Sequence, residues 1–351
     1  MKIAVIGAAV LWGTAGTAGL LVSGVDPVSL ASARLVIGGL VLAVVTAPAT
    51  RLLLLPGGSP SGSLPGSPGS PTGPLPGSPG PSAGFPEDPP AGSPEGSLAG
   101  FPGGPEGGRR RGPGARPGPL AAAAMAVAAY QLCYFAAVGR TGVAVGTVVA
   151  IGSGPVFTGL LSWLLDRAWP GRRWAGATAV AIAGCAVLTG GGGEVRADGV
   201  LLALLGGLLY AFYAVTAARA IGAGAPSDAV MGLMFGGAAV VMVPVLLWTG
   251  TGWLAEPRGL FTALYLGCAT TALAYFLYGR GLRTTPVATA ATLALAEPAV
   301  AALLGVVVLG ERLTPASVAG LVLLGASLVA VSLPGRVHRG SRDRGAIGSS
   351  A

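Results

Sequence analysis

The sequence predicts an all-α polytopic membrane protein with ten transmembrane helices arranged as two inverted five-helix repeats. Three observations carry this expectation. Of 351 residues, 21 are basic and 13 acidic, so 10% of the chain is charged while 52% is hydrophobic, and the mean hydropathy is +0.73. A soluble domain carries about 25% charged residues, so this chain cannot cover a water-facing surface of its size. Apolar runs of about 20 residues recur, each long enough at a 1.5 Å rise to cross a hydrocarbon core of about 30 Å. Finally, the order of features in one half of the chain returns in the other.

The first span, 3–22, follows Met1 and Lys2. Its apolar run is too long for a signal peptide and leads directly into further spans, so it reads as a retained helix. The stretch from Lys2 to Gly7 opens like a dinucleotide-binding strand, but Ala8, Ala9, Val10, Leu11 and Trp12 follow where the fingerprint needs further glycines. The second span, 29–50, carries Arg34 about seven residues, or roughly 10 Å, inside its start near Pro27. Residues 56–119 then hold 18 prolines, 19 glycines and 9 serines among 64 positions. Proline denies helix and glycine raises the entropy of any fixed form, so this segment reads as a disordered loop.

The third span, 119–139, brings Tyr130, Gln131 and Tyr134, and the fourth, 143–165, has Pro155 at its middle and ends on Asp166 and Arg167. Spans five to seven follow at 173–190, 199–219 and 228–248, the sixth with Tyr210 and Tyr213. The eighth, 259–279, carries Tyr275 and Tyr278. The ninth, 287–309, has Glu297 and Pro298 at its middle and is followed by Glu311 and Arg312. The tenth is 315–333. The expected division is 1–55 for helices 1–2, 56–118 for the insertion, 119–192 for helices 3–5, 193–334 for the second repeat and 335–351 for a basic tail.

Much chemistry is excluded by composition. Cys133, Cys185 and Cys268 lie in different apolar runs, with no second cysteine or histidine at ligand spacing, so no disulfide framework and no metal site are expected. The single histidine, His338, sits in the polar tail. The net charge of +8 does not read as nucleic-acid binding, because the basic residues sit at the ends of apolar runs without aromatic interleaving. No cofactor is expected, and no nucleotide-binding motif supplies ATP to this chain.

Those same basic residues set orientation. With the N-terminus cytoplasmic, sixteen fall inside and four outside, the latter being Arg140, Arg196, Arg258 and Arg312. This bias predicts ten spans with both termini and the long loop inside; twenty arginines against one lysine, with abundant alanine and glycine, point to a high-GC bacterial source and hence to the cytoplasmic membrane. The stretches 141–188 and 284–331 correspond feature by feature: a threonine start, a mid-span proline, an acid-arginine pair and a glycine-bearing span. Five spans per half is an odd number, so the second half is inserted upside down, as in transporters built from inverted repeats.

Taken in order, Leu11, Trp12, Gly13 and Thr14, Arg34 in the second span, the proline-centred fourth span, Glu297 and Pro298, Gly305, the run from Leu309 to Leu313, and Gly320 with Gly325 resemble the EamA family of the drug/metabolite transporter superfamily. The likeness covers both halves but not the insertion, and Asp166 stands where the family often has glutamate. The resemblance implies ten helices around a central pathway, alternating access, and export or uptake of small metabolites.

Candidate pathway residues are Trp12, Thr14, Arg34, Tyr130, Tyr134, Tyr210, Tyr213, Tyr275, Glu297 and Pro298. Arg34 is a cation at costly depth, suited to a substrate carboxylate or to Glu297, with snorkelling to the interface as the alternative. Glu297 is the only acid near the midplane, where a carboxylate can take up and release a proton or simply stabilise a kink. The tyrosines, with Tyr278 and Gln131, share faces at helical spacing and could line a pathway or pack as an aromatic belt. Pro155, Asp166 and Glu311 are structural or gating candidates. The expected function is secondary active transport, export being favoured, of a small metabolite, amino-acid-like compound or drug. The bilayer and a small-molecule substrate are the expected partners, and proton coupling is an open expectation. A scaffold or sensor using the loop is the alternative, followed by a lipid-modifying enzyme.

Overall fold

A computed structural model describes residues 2–22, 24–54, 117–167, 169–190, 196–310 and 312–333. Among these the secondary structure is helical, with no strand. All of them lie in one unit formed by 1–54 and 112–351. The expected loop and tail fall outside the described residues, except that Pro117 and Gly118 open the next helix.

Helix α1 is Lys2–Gly19 and α2 is Pro27–Val45. Asp26 starts α2, accepting a hydrogen bond from the Ser29 N–H at 3.0 Å, with Pro27 in the first turn. The sequence predicts one span to residue 50, but the chain breaks at Thr46 and continues as a short α3, Ala47–Leu54. Pro48 explains the break, since it cannot donate to the carbonyl four residues back.

Helix α4, Pro117–Asp166, runs 50 residues but contains a non-helical residue, Gly142, at φ 79 and ψ 163. That positive φ is open to glycine and strained for other residues. The chain turns there between the expected third and fourth spans. Helices α5 (Arg172–Thr189), α6 (Ala197–Gly222) and α7 (Ser227–Thr249) follow.

The eighth expected span is α8 (Pro257–Gly267), a π-helical segment Cys268–Leu273 and α9 (Ala274–Leu282). Thr271 Oγ1 donates to the Leu266 carbonyl, five residues back, at 3.1 Å. The ninth is α10 (Val287–Ala294) and α11 (Ala296–Leu309), and the last helix is α12 (Pro315–Ser332). The break at Leu295 follows from Pro298, which has no N–H for the Ala294 carbonyl and crowds it sterically.

Eight helices among the described residues are long and apolar enough to cross a membrane. Ten spans were expected from the sequence. The difference lies in Gly118–Asp166, which counts as one run of 49 residues, and in α5, whose apolarity is lowered by Arg172 and Arg173 in its first turn.

Packing pairs α4 with α6, α2 with α7, and α5 with α12, while α1 lies against α9, α10 and α11. The core holds Trp12, Leu35, Tyr213, Met234, Phe235, Met242 and Tyr278. Large apolar side chains cover the outside, with Trp248 90%, Ile3 81% and Val307 79% exposed. Such a surface suits hydrocarbon rather than water.

Polar contacts define two ends. Lys2 Nζ donates to the Ser332 carbonyl at 2.7 Å, and Arg173 donates to that of Ala330 at 2.7 Å, bringing the starts of α1 and α5 to the end of α12. Asp166 pairs with Arg219 at 2.8 Å and Asp228 with Arg280 at 3.4 Å at the same basic face. At the opposite face Arg140 pairs with Asp198 at 3.1 Å, and Ser29 Oγ donates to the Gly250 carbonyl at 2.9 Å.

Candidate functional site

Trp12 from α1, Arg34 from α2, Tyr130 and Ile151 from α4, Tyr210 and Tyr213 from α6, Tyr275 from α9, Ala294 from α10 and Glu297 from α11 line one cavity of about 60 Å³. A larger cavity of about 640 Å³ shares Trp12, Arg34, Tyr130, Ile151 and Glu297 with it. This second space is walled by Tyr134, Phe135, Leu266 and Pro298. It reaches Gly19, Val25 and Pro27 between α1 and α2, Val143 beside the α4 turn, and Leu188 and Thr189 at the end of α5. These positions place its mouth on the face opposite the basic one.

Toward the basic face the small cavity is closed by aromatic side chains. Tyr210 and Tyr278 hydroxyls lie 3.2 Å apart, and those of Tyr213 and Tyr275 lie 3.4 Å apart, each pair joining α6 to α9. The ring of Trp12 sits 5.0 Å from that of Tyr275 and 5.6 Å from that of Tyr278. Phe235 stacks on Tyr275 at 3.8 Å. Tyr213, Phe235 and Tyr278 are at most 2% exposed, and Met231 and Met234 pack into the same cluster. Tyr210, Tyr213 and Tyr275 therefore line the cavity, and together with Tyr278 they close it.

Arg34 and Glu297 are the charged residues on the two walls. They form no ion pair with each other and no hydrogen bond to another group among the described residues, although the Arg34 charge acts on Glu297 through space. The Arg34 Nε and the Trp12 Nε1 are buried donors without a partner, and Trp12 is 7% exposed. Gln131, 4% exposed, also borders the larger cavity. Buried donors of this kind are costly unless something satisfies them.

Local sequence sets Glu297 in place. Pro298 interrupts the helix just before it, and Gly13 lets α1 approach its backbone. A Cβ at position 13 would meet Val300 Cβ at 2.6 Å and the Glu297 carbonyl oxygen at 2.8 Å. Pro155 does to Ile151 what Pro298 does to Ala294, removing the ordinary donor of a carbonyl one turn earlier. Ile151 and Ala294 both border the small cavity.

The structure thus brings together Trp12, Arg34, Tyr130, Tyr210, Tyr213, Tyr275 and Glu297, with Tyr134 and Pro298 on the adjoining wall. Thr14 lies on neither wall; its hydroxyl donates to the Leu11 carbonyl at 2.7 Å and lies 2.8 Å from that of Tyr265 on α8. Pro155 lies within α4, where it removes one backbone donor without ending the helix. Asp166 is held by Arg219 at the basic face, and Glu311 lies outside the described residues.

Several contributors were not singled out in the sequence. Thr147 faces the Tyr134 hydroxyl at 3.0 Å. Trp174 donates from Nε1 to the Ala288 carbonyl and to Thr292 Oγ1, each at 3.0 Å, fastening α5 to α10. A tryptophan beside two arginines at a helix start reads as an interfacial anchor, so the sequence gives no sign of this reach.

A helical, multi-pass membrane protein with a charged cavity among its helices is the class that fold and site define. Residues 197–333 match the EamA-like transporter family. The chain is 43% identical over 197 residues to the uncharacterized transporter YwfM of Bacillus subtilis (strain 168), covering 56% of this chain and 66% of that protein. It is 35% identical over 129 residues to the threonine/homoserine exporter RhtA of Escherichia coli (strain K12), covering 35% and 41% respectively. The matches thus span just under two thirds of the first relative and about two fifths of the second. One crystal structure has the same fold, with a TM-score of 0.68 over 94% of this chain and 96% of that one at 16% identity. The second half of the chain thus matches the EamA family, and the chain is similar to transporters of the drug/metabolite superfamily.

Proposed function

We propose that the protein is a secondary active transporter that exports a small metabolite or amino-acid-like compound across the bacterial cytoplasmic membrane by alternating access, with proton coupling at Glu297. The observation that carries this reading is the small cavity. It contacts both charged residues, opens through the larger cavity to one face, and is closed toward the other by the tyrosine layer. That is the form of one end state of an alternating-access cycle. A name that includes export of threonine and homoserine, in a relative covering part of the chain, supports the direction and the substrate class.

Ten crossings in two inverted halves belong to the same proposal, with the two parts of α4 as separate spans and α5 as the fifth. Pairing supports this: α2 with α7 and α5 with α12 join corresponding members of the halves, and α1 against α9 to α11 has its counterpart in α6 against α4. The basic face carries Lys2, Arg173, Arg219 and Arg280, in line with a cytoplasmic N-terminus and C-terminus. Both proline-centred spans contribute to the cavity, and enzyme chemistry has no place in this reading.

The test is a resistance profile against metabolites and toxic analogues in cells overexpressing the protein or its Glu297→Gln variant. Resistance that requires Glu297 supports export. Transport in reconstituted vesicles whose pH dependence is unchanged by Glu297→Gln removes the proton coupling.

A further inference from the structure

We infer that the small cavity recognises its substrate as a zwitterion: an α-amino acid whose carboxylate is held by Arg34 and whose ammonium is held by Glu297, with a neutral side chain directed into the larger cavity. This assignment deepens the transport reading above and rests on it. Three observations meet here. Arg34 and Glu297 border the same cavity, which is small enough at about 60 Å³ to fit a head group rather than a whole metabolite. Among the described residues they neither pair with each other nor hydrogen-bond elsewhere, so each retains capacity for a ligand. Finally, among the described residues the larger cavity that continues from the small one adds no further charged residue; Phe135, Ile151, Leu188 and Leu266 line it together with the uncharged Gln131, Tyr134, Thr147 and Thr189.

Charge balance selects the ligand. One cation and one anion facing one small cavity, closed on one side, accept a molecule that carries one of each, because both charges are then compensated. A pure anion satisfies Arg34 and leaves Glu297 facing a second negative group, and a pure cation does the reverse. The guanidinium offers up to five N–H donors in a planar fork that matches a carboxylate. The unpartnered Arg34 Nε and Trp12 Nε1 add to the donors on that side. On the other side, an ammonium has three donors to satisfy. Glu297 can take some of them, and Ile151 and Ala294, whose carbonyls lack their ordinary helical donors because of Pro155 and Pro298, border the same cavity. A side chain bearing its own charge would meet no opposite charge in the larger cavity among the described residues, so neutral amino acids are favoured.

The test uses the full-length protein in detergent, titrated with L-threonine, L-valine, L-leucine and L-phenylalanine. Each is compared with its N-acetyl derivative, an anion, and its methyl ester, a cation, by thermal unfolding and calorimetry. The expected result is that at least one zwitterion binds at least tenfold more tightly than both of its derivatives. Arg34→Gln should weaken the zwitterion at least tenfold while removing the penalty on the methyl ester, and Glu297→Gln should do the converse for the N-acetyl compound. Arg34→Lys and Glu297→Asp, which keep the charges, should bind with intermediate affinity. A derivative that binds as tightly as its parent overturns the assignment, as does the absence of binding by every zwitterion. The wild-type comparison stands even if the variants misfold. Binding without flux in vesicles would defeat the transport reading alone, whereas flux of a singly charged compound without zwitterion binding would defeat this inference alone.

Discussion

The hydroxyls of Tyr210 and Tyr278 meet at 3.2 Å and join α6 to α9 between the cavity and the basic face. The neighbouring Tyr213–Tyr275 contact, at 3.4 Å, is longer. Closure on that side therefore rests on aromatic packing with two modest hydrogen bonds added. Such a seal can be opened without breaking a strong polar contact.

Tyr278→Phe keeps the ring and removes one bond, about 1 kcal/mol. The expected outcome is a shift of roughly fivefold toward a state open at the basic face. A cysteine placed at Phe235 would report it as faster labelling from that side, and an unchanged rate would place the closure elsewhere.

Gly142 holds φ 79 at the turn within α4. Gly142→Ala imposes a left-handed conformation on a residue with a side chain, costing about 1–2 kcal/mol. The melting temperature of purified protein should fall, and substrate affinity of the folded fraction should not.

Gly13 lies against the Glu297 backbone and Val300. Gly13→Val overpacks the contact between α1 and α11 by about 1–3 kcal/mol. Here, unlike at Gly142, affinity and stability should fall together, because the displaced atoms carry the carboxylate. A stable variant with wild-type affinity would show that the site tolerates movement of α11.

Asp166 and Arg219 are 41% and 48% exposed. Asp166→Asn should cost at most about 1 kcal/mol, less in high salt, because exposed ion pairs are solvent-screened. Flux should stay within about fivefold of wild type on that energy; complete loss would make the pair a gate.

Removal of residues 57–116 should leave vesicle flux intact, since the described residues that line the two cavities already supply their charged and aromatic groups. Loss of flux with normal membrane insertion would give the segment a part in transport.

Apolar runs are legible because the bilayer imposes length and composition on each crossing independently of its neighbours. Glu297 stands out for a similar reason, as a lone acid at a depth where charge is expensive. That Arg34 shares its cavity is hidden, because the two come from opposite halves of the chain and meet only through the packing of α1, α2 and α11. The tyrosines are visible as pairs along α6 and α9, but their bonding across the two helices needs the relative rotation of both. Thr14 shows the limit of motif reading: it lies beside Trp12 in sequence, yet its hydroxyl turns to Tyr265. Breaks at prolines are predictable in place, whereas the π segment at Cys268–Leu273 depends on hydroxyl bonds to Leu266 that periodicity does not encode.

With Arg34 and Glu297 both ionised, the cavity wall is electrically neutral, and a bound zwitterion leaves it so. Moving one elementary charge through a membrane potential of 100 mV involves about 2.3 kcal/mol. A neutral site and cargo escape that bias, so the substrate-bearing half of the cycle should proceed at the same rate whatever the voltage. Any current recorded during transport would then belong to the driving ion alone.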